Sequence, residues 1–222
     1  MIANRWLMVL LAGLWLGSSA APAAVLEARA KASAGVDLQA RLNEAQQDPK
    51  LFESLVKRGR KVAAVCDDCH GAGGNSPRPD TPNLASQNPV YQLDQLREYA
   101  SGQRRNHFME GMIKAMTSDE KVGMVLFYAE QKVLHMQVSD AALVAKGKGL
   151  YSKACVDCHG EHGHGNESIA RLAGQQPVYL HTAMKRYRAG IGARLNPDMA
   201  KNIQALNDPD VEALVAYVMS MD

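Results

Sequence analysis

Aromatic residues are scarce: three Phe, two Trp and seven Tyr make up 5% of 222 residues. This length suggests one or two domains, and small domains are marginal unless something else supplies apolar bulk. Charge of one sign is also lacking, with 25 Lys+Arg against 23 Asp+Glu. That balance excludes the strongly basic footprint of a nucleic-acid binder. There are only four cysteines, and the one long apolar run is at the N-terminus. No stretch alternates apolar and polar residues as a half-buried strand does. What the chain does have is helical periodicity, punctuated by glycine-rich loops.

The N-terminal run has the three parts of a secretory signal peptide. Arg5 gives a positive start, Trp6 to Leu16 is apolar but for Gly13, and Ser18 to Ala24 is rich in small residues. Ala21-Pro22-Ala23 offers an A-x-A cleavage site. The run is too short for a comfortable span of ~20 residues; the competing reading is an uncleaved anchor with peripheral membrane association. Removing residues 1–24 takes away Arg5 alone, leaving 24 cations against 23 anions, a net +1. Residues 25–48 read as an extension with weak helical periodicity.

All four cysteines fall in two copies of one pattern, Cys66-Asp67-Asp68-Cys69-His70-Gly71 and Cys155-Val156-Asp157-Cys158-His159-Gly160. CxxCH is the attachment signature of c-type haem. Two residues between the thiols let both reach haem vinyl groups, and the next residue, His, falls under the iron. A zinc site would need closure by four ligands, and one metal would not explain a His at the same place in both copies. A thioredoxin-like pair needs a βαβ context, of which there is no sign. The reading is two covalently bound haem c groups. Buried porphyrin would supply the bulk that aromatics do not. Haem is attached on the oxidising side of the bacterial inner membrane, so the signal and the motifs support each other and place the protein in the periplasm.

The rest of the chain repeats with the motifs. Cys66 and Cys155 are 89 positions apart; Leu84-Ala85-Ser86-Gln87 matches Leu172-Ala173-Gly174-Gln175, and Pro89-Val90-Tyr91 matches Pro177-Val178-Tyr179, both at an offset of 88. Asp48-Pro49 starts a helix that delivers the first motif, and Ser139-Asp140 one that delivers the second. Each Pro-Val-Tyr opens a helix closing at Gly102 or Gly190. Ser118-Asp119 and Asn207-Asp208 cap last helices, in which Tyr128 and Tyr217 match. The fold class is all-α: two tandem domains from one duplication, each wrapped around a covalently bound haem. The expected boundaries are signal 1–24, extension 25–48, domain 1 at 49–135 and domain 2 at 139–222.

The second axial ligand separates electron transfer from chemistry on a small molecule. Met199 stands alone in the loop before the last helix. The first half offers Met109, Met112 and Met116. Flanking anchors at offsets of 88 and 89 point to position 110, because 199 − 89 = 110, and Met109 is nearest; Met112 stays open. The expected iron ligands are therefore His70 with Met109 and His159 with Met199. His107 is the rival ligand. His162 and His164 read as solvated, His135 and His181 as surface or packing residues, and Met116 as core filler.

These residues resemble the diheme class I cytochromes of the cytochrome c4 type over about residues 50–222. The resemblance implies two domains around a pseudo-twofold axis and a periplasmic electron carrier, often serving a terminal oxidase. It also implies a proline before each Leu-Ala segment whose carbonyl accepts from the proximal His. Pro82 fits; Ala170 departs from it. Donors would be a quinol-oxidising complex or a dehydrogenase, and the acceptor an oxidase. Alternatives are the diheme subunit of a flavocytochrome-type dehydrogenase, or a diheme peroxidase or thiosulfate-oxidising enzyme, which would need an open axial position. Arg104-Arg105 and the cluster Lys185, Arg186, Arg188 and Arg194 read as either partner-steering charge or solvated helix faces.

Overall fold

The computed structural model describes residues 36–191 and 196–221, so the expected signal peptide, residues 25–35 of the extension and Arg194 lie outside the described residues. The helices are α1 (Leu38–Gln47), α2 (Pro49–Ala63), α3 (Asp67–His70), α4 (Pro89–Ser101), α5 (His107–Ala115), α6 (Ser118–Ala129), α7 (Ala141–Ala154), α8 (Val156–His159), α9 (Pro177–Ala189), α10 (Pro197–Gln204) and α11 (Asp208–Met219). No strand occurs among the described residues, and none of these helices is long and apolar enough to cross a membrane.

Each half is built round its last helix. Every residue of α6 from Val122 to Tyr128 is buried, and α11 buries Val211, Ala213 to Ala216 and Val218. A helix apolar on all sides belongs in the middle of a core. The amphipathic α2 lays Leu55, Gly59 and Ala63 against α6, and α7 lies on α11 in the same way. Asp48 starts α2 by accepting from the amides of Lys50 and Leu51, and Asp140 starts α7 by accepting from that of Leu143. Helices α4 and α9 close on Gly102 and Gly190 as expected.

Three local readings change. The extension, weakly periodic in sequence, carries a packed helix: Leu42 and Ala45 of α1 are 0% exposed and belong to the first core, and Arg41 forks onto Asp119 at the start of α6. Its polar surface diluted the helical pattern. The cap of α6 is Thr117 rather than Ser118-Asp119, in a reciprocal box with Glu120, as Asn207 is with Asp210 for α11. Thr117→Ala is expected to cost about 1 kcal/mol, read from the midpoint of denaturant unfolding. The "loops" carrying Met109 and Met199 are the short helices α5 and α10.

The two halves meet through hydrogen bonds that obey a twofold relation at an offset of 88. Asn83 N–H donates to Gln175 Oε1 and Arg171 N–H to Gln87 Oε1, each over 2.7 Å. Gln175 Nε2 donates back to the Asn83 carbonyl at 3.0 Å, and Gln87 Nε2 to the Arg171 carbonyl at 2.9 Å. Gln176 Nε2 donates to Ser76 O, as Asn88 Nδ2 does to His164 O. Tyr91 N–H donates to Glu167 O, as Tyr179 N–H does to Pro79 O. Segment 131–140 links the halves and is itself tied down, Asn75 bonding Lys132 O and Leu134 N–H, and His135 bonding Met221 O.

Candidate functional site

In the first half α2 ends at Ala63 and a short turn leads to Cys66, in the second α7 runs directly to Cys155, and in both a single helical turn carries the rest of the motif. His70 N–H donates to Cys66 O and His159 N–H to Cys155 O, each at 2.9 Å. This turn sets the second thiol and the imidazole on successive residues. The chain then leaves through Gly71, at φ 75°, where an added Cβ would stand 1.8 Å from the Asn75 carbonyl oxygen. Only glycine fits there, which accounts for CHG rather than CH alone.

Both imidazoles are buried, His70 at 9% and His159 at 6% exposure. Nδ1–H of His70 donates to Pro82 O at 2.8 Å, and that of His159 to Ala170 O at 2.9 Å. The missing proline therefore does not cost the second His its orienting bond. Since a carbonyl can only accept, each ring is fixed in the tautomer with Nε2 as the free base. Burial holds both rings below the ordinary histidine range, which favours the neutral form a metal needs. Burial also raises the Cys66 thiol and pushes Cys155 up to about 11, and none of the four cysteines is joined to another in a disulfide.

The methionines fall into register. Asn106 caps α5 and accepts from Met109 N–H at 3.1 Å; Asn196 caps α10 and accepts from Met199 N–H at 2.9 Å. Caps and methionines alike are 90 positions apart, because 196 − 106 = 199 − 109 = 90. Thr117 and Asn207 keep that offset. On this register Met112 corresponds to Asn202 and Met116 to Leu206. Met112 is half-buried and Met116 lies in the core. His107, the rival ligand, is exposed and corresponds to Pro197; His162 and His164 are exposed, their rings 5.8 Å apart.

The residues present fit a haem in each half: two thiols, a buried His with a free Nε2, and a thioether on an equivalent helix. Among the described residues no three His, Cys, Asp or Glu side chains gather to hold a metal ion. The Nε of Arg171, buried and without a hydrogen-bond partner among the described residues, adds a cation suited to a carboxylate such as a haem propionate. Arg104 does not lie on an open face: it is half-buried, bonds Gln95 and the Tyr179 hydroxyl across the interface, and sits over the Tyr99 ring. Lys185 and Arg188 pair with Asp208. The caps Asn106 and Asn196 and the bridging Gln87 and Gln175 were not singled out from sequence, although the glutamines stood in the repeated segments.

The chain is similar to known proteins over most of its length. The family described as Cytochrome c matches residues 144–222. Cytochrome c4 of Pseudomonas aeruginosa is 30% identical over 177 residues, 73% of this chain and 87% of that protein. A protein of Thiomonas intermedia named thiosulfate dehydrogenase electron acceptor is 32% identical over 140 residues, 58% of this chain and 64% of its own length. The crystal structure of reduced recombinant cytochrome c4 from Pseudomonas stutzeri superposes with a TM-score of 0.68 at 27% identity, over 75% of this chain and 98% of that one. With two haem motifs on two matching halves, the chain belongs to the cytochrome c4 family and is a diheme c-type electron-transfer cytochrome.

Proposed function

We propose that this chain is an exported, periplasmic single-electron carrier with both irons closed. Cys66 and Cys69 hold one haem and Cys155 and Cys158 the other. His70 with Met109, and His159 with Met199, would hold the two irons. The haem-binding units are residues 49–135 and 139–222, preceded by the signal at 1–24 and the segment 25–48. Each haem, when bound, supplies a one-electron Fe(III)/Fe(II) couple. The chain's part is to orient Nε2 of each His through its carbonyl bond, to present a soft thioether that favours Fe(II), and to exclude water from the ring by burial.

The observation that carries this reading is the equivalent placement of Met109 and Met199, one per half, each with its amide bonded to the capping Asn. With both methionines bound to iron, no position would be left for substrate. The reduced protein is therefore expected to bind carbon monoxide slowly or not at all; fast binding at either haem overturns the carrier reading in favour of an enzyme. For the donor, the name of the Thiomonas relative supports a dehydrogenase, and a quinol-oxidising complex is the alternative; the acceptor is an oxidase. Stable co-purification with a flavoprotein would make the chain a dehydrogenase subunit instead.

A further inference from the structure

The interface hydrogen bonds reach the expected iron ligands through one peptide group on each side. Peptide 82–83 presents its carbonyl to His70 Nδ1–H at 2.8 Å and its N–H to Gln175 Oε1 at 2.7 Å. Peptide 170–171 presents its carbonyl to His159 Nδ1–H at 2.9 Å and its N–H to Gln87 Oε1 at 2.7 Å. Each glutamine is 6% exposed, and its Nε2 also donates to the carbonyl of the residue that it grips. Asn83 is fixed further, its side chain accepting from Ser76 N–H and donating to Gly174 O.

We propose that Gln87 and Gln175 are cross-domain positioning residues: each sets the peptide that orients the proximal His of the opposite half, and so tunes the opposite haem. The inference rests on His70 and His159 being the iron ligands. Its physical basis is polarisation along a hydrogen-bond chain. An acceptor on a peptide N–H makes that peptide's carbonyl a stronger acceptor. A stronger acceptor at Nδ1–H makes the imidazole a better donor to iron, which favours Fe(III). Removing the glutamine amide therefore raises the potential, and the effect is crossed. Gln175, in the second half, governs the haem on Cys66 and Cys69; Gln87, in the first, governs the haem on Cys155 and Cys158. Any shift of the interface moves both peptides at once, so the two sites are coupled by geometry rather than by distance alone.

The test is a redox titration of the holoprotein in which NMR follows each haem separately. Gln175→Leu is expected to change the reduced-to-oxidised ratio of the His70 haem by about two- to threefold in favour of the reduced form. That is a rise of about 20–30 mV at 59 mV per tenfold, with the His159 haem unmoved. Gln87→Leu is expected to do the mirror image. Gln175→Glu and Gln87→Glu keep an acceptor for the N–H and are expected to shift the same crossed haem downward. They also serve where a leucine variant does not fold. A shift of the haem in the variant's own half, equal shifts of both, or none in a low-spin protein overturns the bridge. A wild-type protein whose haems prove to be ligated by residues other than His70 and His159 overturns instead the ligand assignment beneath it.

Discussion

Replacing Met199 with alanine is expected to remove about half of the weak far-red sulfur-to-iron band of the ferric protein, and Met109→Ala to remove the other half. Each variant is also expected to lower the potential of its own haem, since a thioether favours Fe(II), and to make that haem alone open to carbon monoxide once reduced. The prediction rests on equivalence. Both side chains start from the third residue of a short helix, and in both the residue's amide is held by a capping Asn, at 3.1 Å for Met109 and 2.9 Å for Met199. Met112 stands one helical turn further on, where the second half has Asn202. An absorption spectrum checks the assignment: a band left whole by Met109→Ala transfers the ligand to Met112.

The second large effect is on stability. Gly59→Ala and Gly147→Ala are each expected to cost ~3 kcal/mol or more, against a total of roughly 5–15 for a domain. At Gly59 an added Cβ would stand 1.9 Å from the carbonyl oxygen of Gly123, and at Gly147 1.9 Å from that of Ala213. Both obstacles are helix backbone, which cannot turn aside as a side chain can, so α2 and α6, or α7 and α11, must part. The control lies two residues along the same helix. Gly149 has nothing within 4 Å of its would-be Cβ, and Gly149→Ala is expected to stabilise by about 1 kcal/mol, through helix propensity and a less flexible unfolded chain. Denaturant unfolding followed by circular dichroism measures all three. A tolerated Gly147→Ala would mean that α7 and α11 are not in close contact.

The contrast between Gly147 and Gly149 shows where the sequence runs out. In Gly147-Lys148-Gly149 the two glycines look alike, and only the position of α11 tells them apart. The haem motifs, the duplication and the helix starts at Asp48 and Asp140 were legible because local chemistry determines each. The ligand register was legible only in part. Matching Asp119 with Asp208, and Tyr128 with Tyr217, gave an offset of 89, whereas the folded helices align at 90. Tyr128 is fully buried in its core, while Tyr217 is one place out of step and meets the Tyr151 ring edge-on at 5.4 Å. Similar residues had drifted by one position, and the capping bonds, invisible in a string of letters, kept the true register. The buried glutamines were missed for a related reason: a polar residue in a repeat marks homology, but its partner lies some 84 to 92 residues away in the other half.

That reciprocity says something about how the chain is assembled. An interface in which 83 meets 175 while 171 meets 87 is the isologous contact of a twofold homodimer, here written into one polypeptide. Segment 131–140 then acts chiefly as a tether. It sets the effective concentration at which two self-complementary faces meet, while the choice of partner is encoded in the faces themselves. The side chains at equivalent places have since diverged, Asn83 against Arg171 and Pro82 against Ala170, but the peptide groups that do the joining have not. An association made largely by backbone groups and buried amide side chains leaves each half free to vary its outward surface for a different redox partner without loosening its hold on the other.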